Sequence, residues 1–326
     1  MKDMLVLEKP LEYKMEPPDY DGLWKKIIGE LFEQFTAFFA PDLHEEIDFS
    51  ANFDVLQQEL NQEIMSEKGG KVIVDKLFKV YLKNGKEKWV LIHVEVQDKD
   101  EEDFPDRMFR YFHRIYDRFD REIYAIALLT DAKKSKYAGP FNYSFYGTEI
   151  NYKYNTYDFY GKDIEQLKRS SNPFAIAVVA GIYAIKSKQD AEIRYAFKKS
   201  LVTSILEKYD TAAEATIDHL NSLIYFVDNL LKLPEEMKHK LREELNPYLG
   251  EEVITKMRAE KTNQPPTIAE LMKEYEQEGI EKGKKEAIKN ISEAISLIRK
   301  NYSNEKISEI TKLTSEDLGE IRKSIQ

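Results

Sequence analysis

Hydrophobic positions along this chain recur first at helical and then at strand spacing. From Asp21 onward Leu23, Trp24, Ile27, Ile28, Leu31, Phe32, Phe35 and Phe38 fall three and four residues apart. That spacing predicts an amphipathic helix, closed by Pro41. Val55-Leu56-Gln57-Gln58-Glu59-Leu60 suggests a second, shorter helix before the Gly69-Gly70 break. The period then changes to two. Residues 74–81 and 89–97 read as a pair of strands joined across Asn84-Gly85, and Ile92, Val94 and Val96 alternate with His93, Glu95 and Gln97. A strand sends alternate side chains to opposite faces, so Glu95 and Gln97 share a face about 6.5–7 Å apart along the chain.

After the acidic loop 98–103, a helix is expected from about Pro105 to Arg121, with Pro105 well placed in its first turn. Met108, Phe112, Ile115 and Phe119 form its apolar stripe, and Arg107, Arg110, Arg114 and Arg118 a band beside it. Ile123–Leu129 is a continuous apolar run and reads as a fully buried strand. Residues 137–160 hold seven tyrosines, which suggest a β-rich flap or edge extension, with a stacking platform for bases as the other reading. From Asn172 to about Gly250 the pattern is entirely helical. Residues 261–267 read as a linker before a long charged helix from Ile268 to about Asn301. That helix suits a coiled coil, and two short helices follow it around Leu313-Thr314-Ser315, a possible helix-turn-helix.

These periods give an α/β fold: helix, hairpin, helix and strand in a mixed sheet flanked by helices, then a helical region and a long C-terminal helix. Three regions follow, at 20–170, 171–260 and 261–326. The 326 residues and 38.3 kDa are ample for a sizeable core. The chain has no cysteine, which excludes disulfides, thiolate zinc sites and cysteine nucleophiles. There is no P-loop or dinucleotide fingerprint. The N-terminus lacks the apolar core of a signal peptide, and the run 174–185 is about half a membrane span. A cytoplasmic protein with no membrane partner is the default expectation. The net charge of −10 argues against a wholly basic surface, but screening leaves room for a local basic groove.

A carboxylate closing a core-grade strand requires a reason, since burying it unpaired is costly. A divalent cation is a candidate. Asp75, Glu95 and the backbone carbonyl of Val96 would make a minimal oxygen cage, and Gln97 beside it could orient a water. The arginine band is open to two readings. One is a solvated, salt-bridged face. The other is a row of bidentate donors for phosphates, because Asp117 and Asp120 are too few to neutralise four arginines. The cage carries a condition on the hairpin. A two-residue Asn84-Gly85 turn pairs Asp75 with Val94 and turns it away from Glu95. A three-residue loop, Lys83-Asn84-Gly85 with a left-handed glycine, restores the shared face.

The runs Val74–Val80, Trp89–Gln97, Arg107–Arg118 and Ala127–Asp131 together resemble the recombination-promoting nuclease / putative transposase family, of the PD-(D/E)xK, restriction-endonuclease-like superfamily. The resemblance covers roughly residues 20–245, and the Glu-Lys-Gly-rich stretch near 278–286 is similar to that family's C-terminal tails. It implies a restriction-endonuclease-like core and a magnesium-dependent (or manganese-dependent) DNA endonuclease linked to recombination or transposition. By motif, Asp75 and Glu95 would be metal ligands and Gln97 would take the superfamily's lysine position, with one positive charge fewer. Glu59 resembles an acidic helix position that completes such sites, and Arg107, Arg110 and Arg114 would contact DNA phosphates. The competing expectation is a catalytically weak or inactive nuclease fold acting as a DNA-binding or assembly factor. Homo-oligomers through the helical regions are expected in either case.

Overall fold

The computed structural model describes residues 18–51, 53–56, 76–95, 102–131, 133–207, 214–248 and 265–325. The first helical segment is three helices: α1 (Tyr20–Glu30), α2 (Phe32–Phe39) and α3 (Pro41–Glu46). Asp19 caps α1 by accepting from the Gly22 amide at 3.0 Å. A Cβ at Gly22 would lie 2.2 Å from the Asp19 carboxylate, so any larger residue would require that capping side chain to shift. The single helix expected up to Pro41 is interrupted at Leu31, whose φ/ψ of −113°/40° is not helical. Pro41 opens α3 rather than ending the segment, since its missing amide costs nothing at a first helical position. Where a short helix was expected at residues 55–60, Asp54–Val55 is instead strand β1, paired with β2 (Leu77–Tyr81). Residues 57–60 lie outside the described ones.

The chain continues through β3 (Glu87–Glu95), α4 (Phe104–Phe119) and β4 (Ile123–Leu129). A two-stranded ribbon, β5 (Phe141–Phe145) and β6 (Thr148–Tyr152), precedes β7 (Asn155–Asp158). The main sheet has the order β1-β2-β3-β4-β7. Its first three strands are antiparallel, and β4 and β7 run parallel to β3. The connection from β3 to β4 passes through α4, as a parallel pair requires. The expected mixed sheet with helices is therefore present.

Alternation divides the sheet's two faces. On one, Phe78 stacks on Phe32 of α2 at 4.1 Å, and Tyr157 packs on Phe38 and Phe39. On the other, Leu77, Ala125, Ala127 and Leu129 join Phe104, Met108, Tyr111 and Ile115 of α4 in one buried cluster. Phe112 and Phe119 only flank that cluster, and Tyr111 takes the inward place that the sequence reading gave them. Both faces are covered, which is why β4 could be apolar throughout.

Helices α5 (Ile164–Lys168), α6 (Phe174–Lys186), α7 (Ala191–Leu206), α8 (Glu214–Leu230) and α9 (Glu235–Leu245) follow, with a short 3-10 turn at Asn246–Tyr248. α6 is buried from Phe174 to Ala184. Its Gly181 lets Trp24 of α1 and Phe159 approach, where a Cβ would sit 2.8 and 2.9 Å from their rings. Trp24 also meets Phe226 of α8 edge-on at 4.9 Å. Residues 20–170 and 171–260, set apart in the sequence reading, thus share one compact unit, which ends at Thr267. Its last residue is tied down: Asp228 accepts from the Thr267 amide and hydroxyl at 2.7 and 2.6 Å, and Lys198 donates to Asp228 at 2.8 Å in a buried pair.

The second unit, from Ile268, contains most of α10 (Pro266–Arg299) with α11 (Asn304–Thr311) and α12 (Ser315–Ile325). Its core is Ala294, Ile298, Ile307 and Leu318. The first turn of α12 carries Glu316 and Asp317, and Asp317 accepts from the Thr314 amide and hydroxyl. An acidic first turn is a poor start for a helix meant to enter a DNA groove. Among the described residues, no helix is long and apolar enough to cross a membrane.

Candidate functional site

The hairpin turn meets the condition set by the sequence. The Leu82 amide donates to the Lys86 carbonyl at 2.9 Å and the Gly85 amide to the Leu82 carbonyl at 2.8 Å. Lys83-Asn84-Gly85 is therefore a three-residue loop, and Gly85 has the left-handed φ of 77°. The Asn84 side chain accepts from the Lys86 amide at 3.0 Å and braces it. Pairing then runs from Tyr81↔Glu87 to Leu77↔Leu91, so odd-numbered residues face odd-numbered residues. Lys79 and Glu87 confirm the shared face with a salt bridge of 3.1 Å.

Lys76 and Leu77 show how that parity sorts side chains. Lys76 reaches α1, where a Cβ on Gly29 would meet its Nζ at 2.3 Å. Burial holds its ammonium below the usual lysine range, against the opposing pull of Glu30. Leu77 lies on the opposite face, in the α4 cluster. Of the predicted ligands, Asp75, Glu59, Gln97 and Val96 lie outside the described residues. Glu95 is the last residue of β3, and its backbone pairs with Leu129. Leu129 in turn pairs with Asp158 of β7. Glu95, Leu129 and Asp158 form one row at the end of the sheet where the parallel strands finish.

Asp158 was not singled out from the sequence, because a four-residue strand inside a tyrosine-rich stretch carries no legible period. It is half-buried and accepts from the Tyr160 amide at 2.8 Å. Among the described residues, no three His, Asp or Glu side chains converge on a cation-binding position.

On α4, two of the proposed phosphate contacts already hold carboxylates. Arg107 lies 3.6 Å from Asp103, and Arg110 lies 2.6 Å from Asp106, both one turn back. The sequence reading counted only Asp117 and Asp120 as counter-charges and overlooked these two acids at the helix start. An excess of unneutralised arginine is thus not supported at these positions. Both pairs are solvent-accessible, and exposed pairs of this kind are worth little, so they present no large barrier to an incoming phosphate. Arg114 is exposed on the same side.

The chain matches no family model, no curated protein and no solved structure.

Several aromatic residues of the tyrosine-rich stretch pack against α4. Phe141 at the base of the β5–β6 ribbon stacks on Phe109 of α4 at 4.5 Å, with 6° between the rings. Tyr152 packs on Phe112 at 4.6 Å. Burial pushes the Tyr154 and Tyr157 hydroxyls up to about 12 and raises Tyr152 further still, so these rings are neutral structural residues. The flap that the tyrosine content suggested is this ribbon.

Proposed function

We propose that this chain is a metal-dependent DNA endonuclease on a restriction-endonuclease-like core, with Asp75, Glu95 and Gln97 at its centre. The observation that carries the proposal is the three-residue turn of the β2–β3 hairpin. With that turn, odd-numbered residues of β2 and β3 share a face, and the same alternation carried beyond the described residues would bring Asp75 to the face of Glu95, which supports the reading. The order helix, antiparallel hairpin, α4 crossover and parallel β4 also supports a core of that kind.

The donors fit a hard divalent cation: two carboxylates and a backbone carbonyl, in a chain without thiols. Bound there, magnesium or manganese would supply charge stabilisation and a more acidic water. Gln97 cannot take up a proton at neutral pH, so its part is to orient water through its amide. The absence of a lysine at this position removes one cation from the site, and in this reading the arginines of α4 supply the replacement charge. Arg107, Arg110 and Arg114 offer planar, bidentate donors for the phosphodiester backbone.

Nicking of supercoiled plasmid with magnesium or manganese tests the proposal on wild type and Glu95→Ala. Loss of nicking in the variant is the expected result. Equal nicking by both proteins would defeat it, and DNA binding without nicking by either would favour a DNA-binding or assembly factor.

A further inference from the structure

The β5–β6 ribbon lies in the connection between β7 and β4, whose last residue, Leu129, is the backbone partner of Glu95. Its cross-strand pairs sort it into two unlike faces. Asn142↔Asn151 and Ser144↔Glu149 make a polar face, on which Asn151 donates to Asn142 at 2.5 Å. Phe141↔Tyr152, Tyr143↔Ile150 and Phe145↔Thr148 make an apolar one. The base of that apolar face is seated on α4, but the outer rings are not covered. Tyr143 is 45% exposed, Phe145 59% and Tyr146, at the tip, 95%. The tip is a tight turn with Tyr146 at φ 45° and Gly147 at φ 85°, the primed type that matches strand twist. A two-stranded ribbon is marginal in water on its own. This one holds three aromatic rings in solvent where polar residues would serve a structural flap equally well.

The charge beside these rings decides what could cover them. Over residues 131–154 four lysines (Lys133, Lys134, Lys136 and Lys153) stand against Asp131 and Glu149, in a chain whose net charge is −10. Lys133, Lys134 and Lys136 lie exposed in the loop that feeds the ribbon. Within a Debye length the local lysine surplus attracts a polyanion, whereas a second copy docking through the same ribbon would bring the same surplus. Exposed aromatic faces beside lysines match what single-stranded nucleic acid needs: rings on which bases stack, and cations for the phosphates.

We infer that the β5–β6 ribbon is a binding platform for unpaired DNA, stacking bases on Tyr143, Phe145 and Tyr146 while Lys133 and Lys134 meet the backbone. This rests on the DNA reading above and sharpens it, since it directs the endonuclease to DNA with unpaired bases. The test is fluorescence anisotropy of a labelled oligothymidylate with the full chain, at low and moderate salt. The double variant Phe145→Ala/Tyr146→Ala should bind about tenfold or more weakly for each base that loses its ring, with the salt dependence unchanged. Phe145→Trp/Tyr146→Trp should restore binding, and Lys133→Ala/Lys134→Ala should flatten the salt dependence by about two phosphate contacts.

Wild-type affinity in the alanine pair overturns the inference. So does a wild type that does not bind the single strand, or an alanine pair that loses self-association in sedimentation while keeping its DNA affinity. Glu95→Ala separates the two proposals: it should bind the oligonucleotide as wild type does and fail to nick. If it nicks, the endonuclease reading falls and the ribbon is judged on binding alone.

Discussion

The Gly85 amide donates to the Leu82 carbonyl at 2.8 Å, and this contact sets which residues of the hairpin share a face. Gly85 sits at φ 77°, where a Cβ would meet nothing within 4 Å. The cost of a side chain there is conformational rather than steric, about 1 kcal/mol. Gly85→Ala should therefore lower stability by about that amount in urea unfolding, with an unchanged m-value. Deleting Asn84 leaves a two-residue Lys83-Gly85 turn with Leu82 still opposite Lys86, so the parity is kept. That variant should retain plasmid nicking wherever its melting shows a folded protein.

The pairs Arg107–Asp103 and Arg110–Asp106 give a prediction with an unusual sign. If these arginines hold phosphates, their own carboxylates compete with DNA. Asp103→Asn/Asp106→Asn should then tighten duplex binding several-fold at low salt, and Arg107→Ala/Arg110→Ala should weaken it and reduce the salt slope by about two. Unchanged binding in both variants would assign the arginines to a solvated helix face.

Much of this architecture was legible because it follows from local rules. The apolar run Ile123–Leu129 read as a strand covered on both faces, and the Lys83-Asn84-Gly85 loop was one of the two turn lengths that the sequence left open. The expectation that failed at Val55 shows the limit. Two residues gain strand geometry only from pairing with Phe78 and Lys79, which are distant in sequence. Tyr111 similarly displaced Phe112 from the core: Phe104, Met108, Tyr111 and Ile115 also lie along one helical stripe, and which neighbouring stripe faces the sheet is decided by packing. Asp158 reaches the row of Glu95 through two parallel pairings that no spacing in the sequence encodes.

Lys198 and Asp228 form a buried ion pair whose carboxylate also receives both Thr267 donors. Removing one charge from such a pair leaves the other buried and uncompensated, at a cost of about 3–5 kcal/mol. Lys198→Met should show a loss of that order in urea unfolding. Thr267→Val removes the hydroxyl but keeps the amide contact, and should cost about 1 kcal/mol.

Tyr154 and Tyr157 predict the alkaline limb of stability. Burial raises both hydroxyls from the ordinary value near 10 to about 12. Because the folded values lie above the unfolded ones, the folded state favours the neutral phenols. Their contribution is complete below about pH 10 and is lost as pH rises from there through about 12. Urea midpoints should fall across that window, and Tyr154→Phe should fall less steeply.

The central claim is that the hairpin brings Asp75 and Glu95 to one divalent cation. Manganese binding, followed by electron paramagnetic resonance on wild type, Asp75→Asn, Glu95→Gln and the double variant, measures this directly. A shared ion predicts that each single substitution removes nearly as much affinity as the pair together. An Asp75→Asn protein that binds manganese as tightly as wild type would contradict it.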